Sequence, residues 1–207
     1  MLEVSLTLLI ISISLYGYAV YALETKRKAL RPRAATWLIW AILGTCVAFL
    51  QLKHGAGLGA VVTIVAACAN YVLAGMAWHY GHKNIHPIDI LSSLAAIGVL
   101  VLWATASDQI TAVFATITYL FGFLPTYERA WRKPYAENIT PFATNTLKYA
   151  LSLLVLGNVV VETALYPAIL AIFNAIFLMM VLVRRRRIKL SKKALAKKSR
   201  ARYSKYQ

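Results

Sequence analysis

Two asparagines, Asn70 and Asn174, lie at the centres of apolar runs in the two halves of this chain. An unpaired amide at membrane depth costs several kcal/mol, so each needs a partner inside the protein or a wet cavity. Two roles are open. The amides can join helices, as is common in membrane bundles, or they can line one binding site shared by the two halves. Position alone leaves the two roles equally supported.

Trp37 and Trp40 are three residues apart and therefore share one face of a helix. Tryptophans at a helix end are most often part of the aromatic belt at a membrane interface. The alternative is a stacking wall for a ring-bearing or sugar-like substrate, because indoles pack well against flat faces. Tyr71, next to Asn70, is a second candidate for that wall.

Lys148 lies about eight residues into an apolar segment, roughly 12 Å from its start. A charge at that depth is costly unless it is paired or solvated. The side chain is long enough to reach the membrane surface, which is its commoner behaviour. Alternatively, Lys148 is a pocket cation for an anionic substrate, with Asn145 on the same helical face.

No group of residues predicts catalysis. The acidic residues lie near the ends of apolar segments, and Gly55-Ala-Gly-Leu-Gly59 lacks the context of a phosphate-binding loop. His79, His82 and His86, with Asp89 nearby, fit an interfacial polar turn better than a metal site. We therefore predict no enzymatic activity, no cofactor and no metal.

The 207 residues are 60% hydrophobic and 14% charged, which leaves too little polar surface for a soluble domain. Seven apolar segments are about long enough to cross a roughly 30 Å hydrocarbon core, and the first is expected to be retained rather than cleaved. They are residues 4–23, 36–52, 60–80, 88–104, 110–127, 140–158 and 164–183. The sequence thus predicts an all-α integral membrane protein with seven transmembrane helices.

Positive charge is concentrated on one side of these segments. Of the 23 Lys and Arg residues, 21 fall on the side of the C-terminus, twelve of them in the tail 184–207. This bias predicts an external N-terminus and a cytoplasmic C-terminus, in a bacterial inner (plasma) membrane. The tail is expected to contact anionic lipids rather than nucleic acid.

The two halves of the chain share a pattern. Leu15-Tyr-Gly-Tyr and Leu120-Phe-Gly-Phe each precede a basic loop that contains a proline, and Thr36 or Thr140 then opens the next segment. Asn70 follows the first of these threonines by 34 residues, and Asn174 follows the second by 34. The match predicts two parallel three-helix repeats, residues 1–87 and 110–183, joined by a connector helix, 88–109, and followed by the basic tail.

Two stretches of the second half resemble a known class of proteins. Gly122-Phe-Leu-Pro-Thr126 and the basic loop Trp131-Arg-Lys-Pro-Tyr135 are similar to the helix-ending Pro-Gln and basic loop of the PQ-loop/SWEET class of small transporters. The layout also resembles that of the vitamin transporters for nicotinamide riboside, and the likeness covers roughly residues 1–183. It implies a transporter with a 3+1+3 fold, pocket asparagines at positions 70 and 174, and an aromatic pocket lining.

The chain departs from that class at both expected Pro-Gln positions. Thr126 stands where glutamine is expected, and Val20-Tyr21 occupies the matching place in the first half. Because a proline interrupts the hydrogen bonds of a helix, Pro125 is the one predicted hinge. The chain therefore resembles a divergent branch of the class.

Together these features predict a membrane transporter or facilitator for a small polar solute, with alternating access between the two three-helix units. The alternative is a non-transporting scaffold or accessory subunit that recruits partners through its basic tail. A polar cavity between the units would favour the transporter. A homo-oligomer is compatible with either function.

Overall fold

The computed structural model describes residues 1–83 and 87–203, with side chains throughout except at positions 88, 125, 136 and 192–203. Within these residues the chain is helical and contains no strand, as the composition predicts. The helices are α1 (Leu2–Lys26), α2 (Ala34–Lys53), α3 (Leu58–Tyr80), α4 (Pro87–Thr105), α5 (Asp108–Phe121), α6 (Leu124–Arg132), α7 (Thr140–Ser152) and α8 (Val161–Tyr203). Short 3₁₀ turns occupy Pro134–Ala136 and Leu153–Val155.

Among the described residues, five helical segments are long and apolar enough to cross a membrane, as expected of a membrane-embedded helical protein. They are Leu2–Lys26, Ala34–Lys53, Leu58–Tyr80, Asp108–Arg132 and Val161–Ser191. The fourth predicted segment is a shorter apolar helix, Asp89–Thr105. The sixth ends early: α7 has 13 residues, and after its 3₁₀ turn the chain becomes extended at Leu156.

Most of the helices fall into two groups, one of α1, α2 and α3 and the other of α5, α7 and α8. In each group the last helix along the chain contacts the other two. Helix α3 lies between α1 and α2, and α8 lies between α5 and α7. The two groups meet where α1 contacts α7 and where α2 contacts α5, and α4 packs against both α2 and α5. The α2–α3 pair is the most extensive contact, because small residues let the backbones approach: a Cβ on Gly44 would lie 3.3 Å from that of Ala67.

The fifth apolar segment is interrupted immediately before Pro125. Helix α5 ends at Phe121, and the amide of Phe123 donates to the carbonyl of Leu120 instead of continuing the α-helical ladder to Tyr119. The indole Nε1 of Trp40 donates to this Tyr119 carbonyl at 2.9 Å. In contrast, α1 runs unbroken through its matching position, Val20.

The two ends of the bundle differ in character. We call the end that carries residues 26–33, 129–133 and 184–189 the basic end, and the end formed by residues 54–57 and 156–160 the opposite end. At the opposite end the loops touch directly: the amide of Gly157 donates to the carbonyl of Ala56 at 3.0 Å, and the Nδ2 of Asn158 donates to that of His54 at 3.1 Å.

A small apolar cluster lies just below these loops. Ile10, Val62 and Val155 are buried against one another, so α1, α3 and the turn after α7 are packed together at the opposite end. The Nε2 of Gln51 also donates to the carbonyl of Thr163 at 2.8 Å, which joins α2 to α8. This end is therefore held by short backbone approaches and dry contacts.

The contact between α1 and α7 yields a prediction about stability. A Cβ added to Gly17 would overlap the side chain of Thr144, whose hydroxyl is held by the carbonyl of Thr140 at 3.1 Å. We expect Gly17→Ala to destabilise the protein by about 1–3 kcal/mol, because the two helices must move apart. Thermal unfolding in detergent measures the effect.

Gly75→Ala is the matched control, because Gly75 is also helical and a Cβ there meets nothing within 4 Å. It should be neutral or stabilise the helix by about 0.5–1 kcal/mol, as alanine is the better helix former. Equal stability of the two variants would contradict the close α1–α7 contact.

Candidate functional site

A cavity of about 560 Å³ lies between the two groups of helices and opens at the basic end. Its lining combines aromatic walls with a charged mouth. The aromatic lining residues are Tyr18, Tyr21, Trp37, Trp40, Tyr119, Phe123 and Phe142. The charged ones are Arg31, Arg33, Arg129, Arg132, Lys133, Glu128 and Glu137. The cavity is large enough for a small organic solute.

Four of the predicted site residues line this cavity: Trp37, Trp40, Asn70 and Asn145. The two indoles meet edge to face with their centroids 5.1 Å apart, so they form one continuous wall. Trp40 is also stacked on Tyr119 from the other group of helices, at 5.0 Å and 13° between planes. The two indoles and Tyr119 thus form an aromatic wall that extends across the seam between the groups.

Gly122 makes room for this wall. A Cβ at position 122 would overlap the Trp40 indole, so only glycine lets the ring lie against the break between α5 and α6. The residue belongs to the Gly-Phe-Leu-Pro motif that carried the resemblance, yet its role in seating Trp40 becomes visible only in three dimensions.

Asn70 is 1% exposed, and both polar atoms of its amide lack a hydrogen-bond partner within the described part of the chain. The amide lies near the Tyr119 hydroxyl, without a hydrogen bond of normal geometry between them. An amide that is buried, unpaired and at the wall of a cavity is positioned to bind a polar group that enters the cavity.

Asn174 is placed differently. It is fully buried, its Nδ2 donates to the carbonyl of Leu170 one turn earlier at 2.8 Å, and it is not among the residues that line the cavity. Its amide nitrogen is thus bonded within its own helix, while its Oδ1 has no partner in the described part of the chain. Of the two matching asparagines, Asn70 therefore lines the cavity and Asn174 does not.

Tyr71 also lies away from the cavity. Its side chain is 44% exposed on the outer face of α3, and its hydroxyl is 3.4 Å from that of Thr45 on α2. It contacts the surface of the bundle rather than the aromatic wall.

Lys148 is fully buried and does not reach the surface. Its Nζ lies 4.1 Å from the ring centroid of Tyr149 and 4.9 Å from that of Tyr18, a cavity-lining residue. These are cation–π contacts, and no acceptor in the described structure bonds to the ammonium. Asn145, one turn earlier on α7, faces the cavity.

Four tyrosines that the sequence analysis did not single out lie around these groups. We call Tyr18, Tyr119, Tyr149 and Tyr166 the tyrosine cluster. Tyr166 meets both Tyr119 and Tyr149 edge to face, with centroids 5.3 and 5.8 Å apart. The cluster borders Asn70 on one side and Lys148 on the other. In the sequence, the one indication of this cluster is that Tyr149 directly follows Lys148.

The mouth of the cavity is held by ion pairs. Arg129 Nε lies 2.7 Å from Glu137 Oε1, and Arg33 Nη1 lies 3.5 Å from Asp89 Oδ1. Partial burial lowers the pKa of His82, and the nearby guanidinium groups of Arg129, Arg31 and Arg33 lower it further. His82 is therefore neutral near pH 7.

Within the described residues no cluster of three or more potential metal-ligating side chains occurs. His79 is exposed and lies beside Tyr80, and the predicted neighbour His86 falls outside the described residues.

Pro125 is the second residue of α6, a position where its missing amide costs nothing.

Comparison with known proteins adds no identity: no family model, no curated protein and no solved structure matches the chain.

The mouth yields a prediction about pH. Burial raises the pKa of Glu137, an effect that Arg129 opposes and Glu24 reinforces. The folded state therefore binds this proton more tightly than the unfolded state, and the contribution of Glu137 to stability grows as the pH falls from 7 towards 5. Relative to Glu137→Gln, the wild type should gain melting temperature over that range.

Glu128→Gln, which removes a carboxylate from an exposed ion pair with Arg132, controls for the change in net charge. A difference between wild type and Glu137→Gln that is the same at pH 5 and pH 7 would refute the effect of burial.

Proposed function

We propose that this protein is a membrane transporter for a small polar solute, which alternates between two states through relative motion of the units 1–87 and 110–183, with 88–109 as connector. The observation that carries the proposal is the cavity of about 560 Å³ between the two groups of helices, open at the basic end. None of its described lining residues belongs to the opposite end, where the loops pack directly. Such a one-sided cavity is expected of one state of an alternating-access cycle.

The pattern of helix contacts supports two equivalent units. In both, the third helix separates the first from the second. The contact of α1 with α7 corresponds to the contact of α5 with α2, since each joins the first helix of one unit to the second of the other. Both halves point the same way if one connector helix lies between them, as in parallel repeats.

The break between α5 and α6 supports Pro125 as a hinge in the second unit. The backbone there already lacks continuous α-helical hydrogen bonds, so bending costs less than in α1. The second unit is therefore proposed to move more than the first.

The charge bias orients the proposed transporter with its basic end, and hence the cavity mouth, in the cytoplasm. We expect a reporter fused after Gln207 to be cytoplasmic and one fused before Met1 to be external. Fusion reporters that are active on opposite sides of the membrane test this directly. Both termini on one side would rule out an odd number of spans.

Access to the cavity tests transport without knowledge of the substrate. Asn145→Cys is introduced into a chain in which Cys46 and Cys68 are replaced by alanine, and sealed vesicles are treated with a membrane-impermeant maleimide. We expect labelling from the side of the basic end and, when the cavity turns to the opposite side, from that side as well. Lys133→Cys, at the mouth, should be labelled from the basic end alone.

A scaffold or accessory subunit would behave differently. Its cavity would stay open to one side, and Asn145→Cys would then be labelled from the basic end only, like Lys133→Cys. That outcome would contradict the transporter and favour the scaffold.

A further inference from the structure

The ammonium of Lys148 stands out among the buried groups. The side chain is completely buried, and its Nζ lies against the rings of Tyr18 and Tyr149 without an acceptor in the described part of the chain. Aromatic faces offset only part of the cost of desolvating a cation. A buried amine without an acceptor is complementary to an anion that arrives from outside, because the anion holds the amine in its protonated form.

We propose that Lys148 is the anchor for the negative charge of the transported solute, and that this solute is a small organic monoanion, of carboxylate type, with a flat apolar body. The assignment rests on the proposed function, because it names the solute class of the same cavity. Three features of the structure specify the class.

The first is charge. The acidic residues that line the cavity are Glu128 and Glu137, both at the mouth and both in ion pairs, with Arg132 and Arg129. No carboxylate competes for Lys148 at the depth of the tyrosine cluster within the described residues. One buried cation is balanced by one negative charge, whereas a dianion would leave a charge unpaired in a low dielectric.

The second is the polar partner. Asn70 has both amide atoms unpaired and borders the tyrosine cluster from the side of α3, while Lys148 borders it from α7. An ammonium and an amide N–H are both donors to a carboxylate, which has two oxygens to receive them.

The third is shape. Trp37, Trp40 and Tyr119 line the same cavity as one aromatic group, in which Trp40 is stacked on Tyr119 and meets Trp37 edge to face, with centroids 5.0–5.1 Å apart. Flat apolar groups gain both burial and ring contacts on such a wall. Tyr18 lines the cavity and contacts Lys148, which is not itself among the lining residues, so movement of the Tyr18 ring is what would admit the anionic group to the amine.

The test uses full-length protein in detergent and the isosteric pair benzoate and benzamide, which differ in charge but hardly in shape. At equal ionic strength we expect benzoate to quench tryptophan fluorescence saturably, because Trp37 and Trp40 line the site, and benzamide to bind at least tenfold more weakly. Phenyl phosphate distinguishes the charge state and should also bind more weakly than benzoate at pH 7.5, where it is largely a dianion.

The variants then locate the charge. Lys148→Met should weaken benzoate binding tenfold or more while leaving benzamide unchanged, because it removes a charged hydrogen-bond donor. Lys148→Arg should retain the preference for benzoate over benzamide. Lys53→Met, which removes a lysine from an exposed ion pair with Asp108 at the opposite end, is the matched control and should bind like the wild type.

Equal binding of benzoate and benzamide by the wild type would overturn the proposal, and this comparison does not depend on whether any variant folds. Benzoate binding that persists in Lys148→Met would overturn it as well. Failure of the transporter is distinguishable: benzoate preference with one-sided labelling of Asn145→Cys leaves the anion site standing and removes transport. Two-sided labelling of Asn145→Cys without a preference for benzoate leaves transport standing and removes the anion site.

Discussion

The hydrogen bond from Trp40 to the carbonyl of Tyr119 is the interaction on which the centre of this structure depends. Pro125 has no amide to donate to the carbonyl of Phe121, and α5 ends at Phe121. The chain breaks at Gly122 and Phe123, and the change in ladder leaves the Tyr119 carbonyl without its α-helical donor. In an apolar interior that carbonyl needs another donor, and the indole of Trp40 supplies it at 2.9 Å.

The same residue then determines the shape of the cavity. To reach the carbonyl, the Trp40 ring must lie against Gly122 and stack on Tyr119, which places an aromatic wall across the seam between α2 and α5. One arrangement of Trp40 therefore satisfies the Tyr119 carbonyl, requires glycine at position 122 and forms the aromatic wall. A larger residue at 122 or a ring without an N–H at 40 would disturb all three at once.

Position along the chain could be predicted from the sequence, whereas direction around a helix axis could not. Apolar runs located the long helices, and Trp37, Trp40, Asn70 and Asn145, which were named from the sequence, line the cavity. Neighbours on a helix point about 100° apart, so Tyr71 faces outward when Asn70 faces inward. The match between Asn70 and Asn174 likewise concerned distance along the chain, and it left the rotation of α8 undetermined. Lys148 was ambiguous for a related reason, because its length permits snorkelling and its burial depends on aromatic rings from α1 and α7.

The unequal ends of the bundle determine what the proposed cycle must overcome. At the opposite end, opening means breaking the hydrogen bonds of 3.0–3.1 Å to the carbonyls of Ala56 and His54 and exposing an apolar cluster. At the basic end, closing means bringing Arg31 and Lys133 together with the ion-paired Arg33, Arg129 and Arg132, at a cost in like-charge repulsion. A neutral solute does not reduce the like-charge repulsion at the basic end. An anion in the cavity offsets part of the repulsion as the mouth closes over it, so the charge that suits Lys148 in the interior also suits the closing of the mouth.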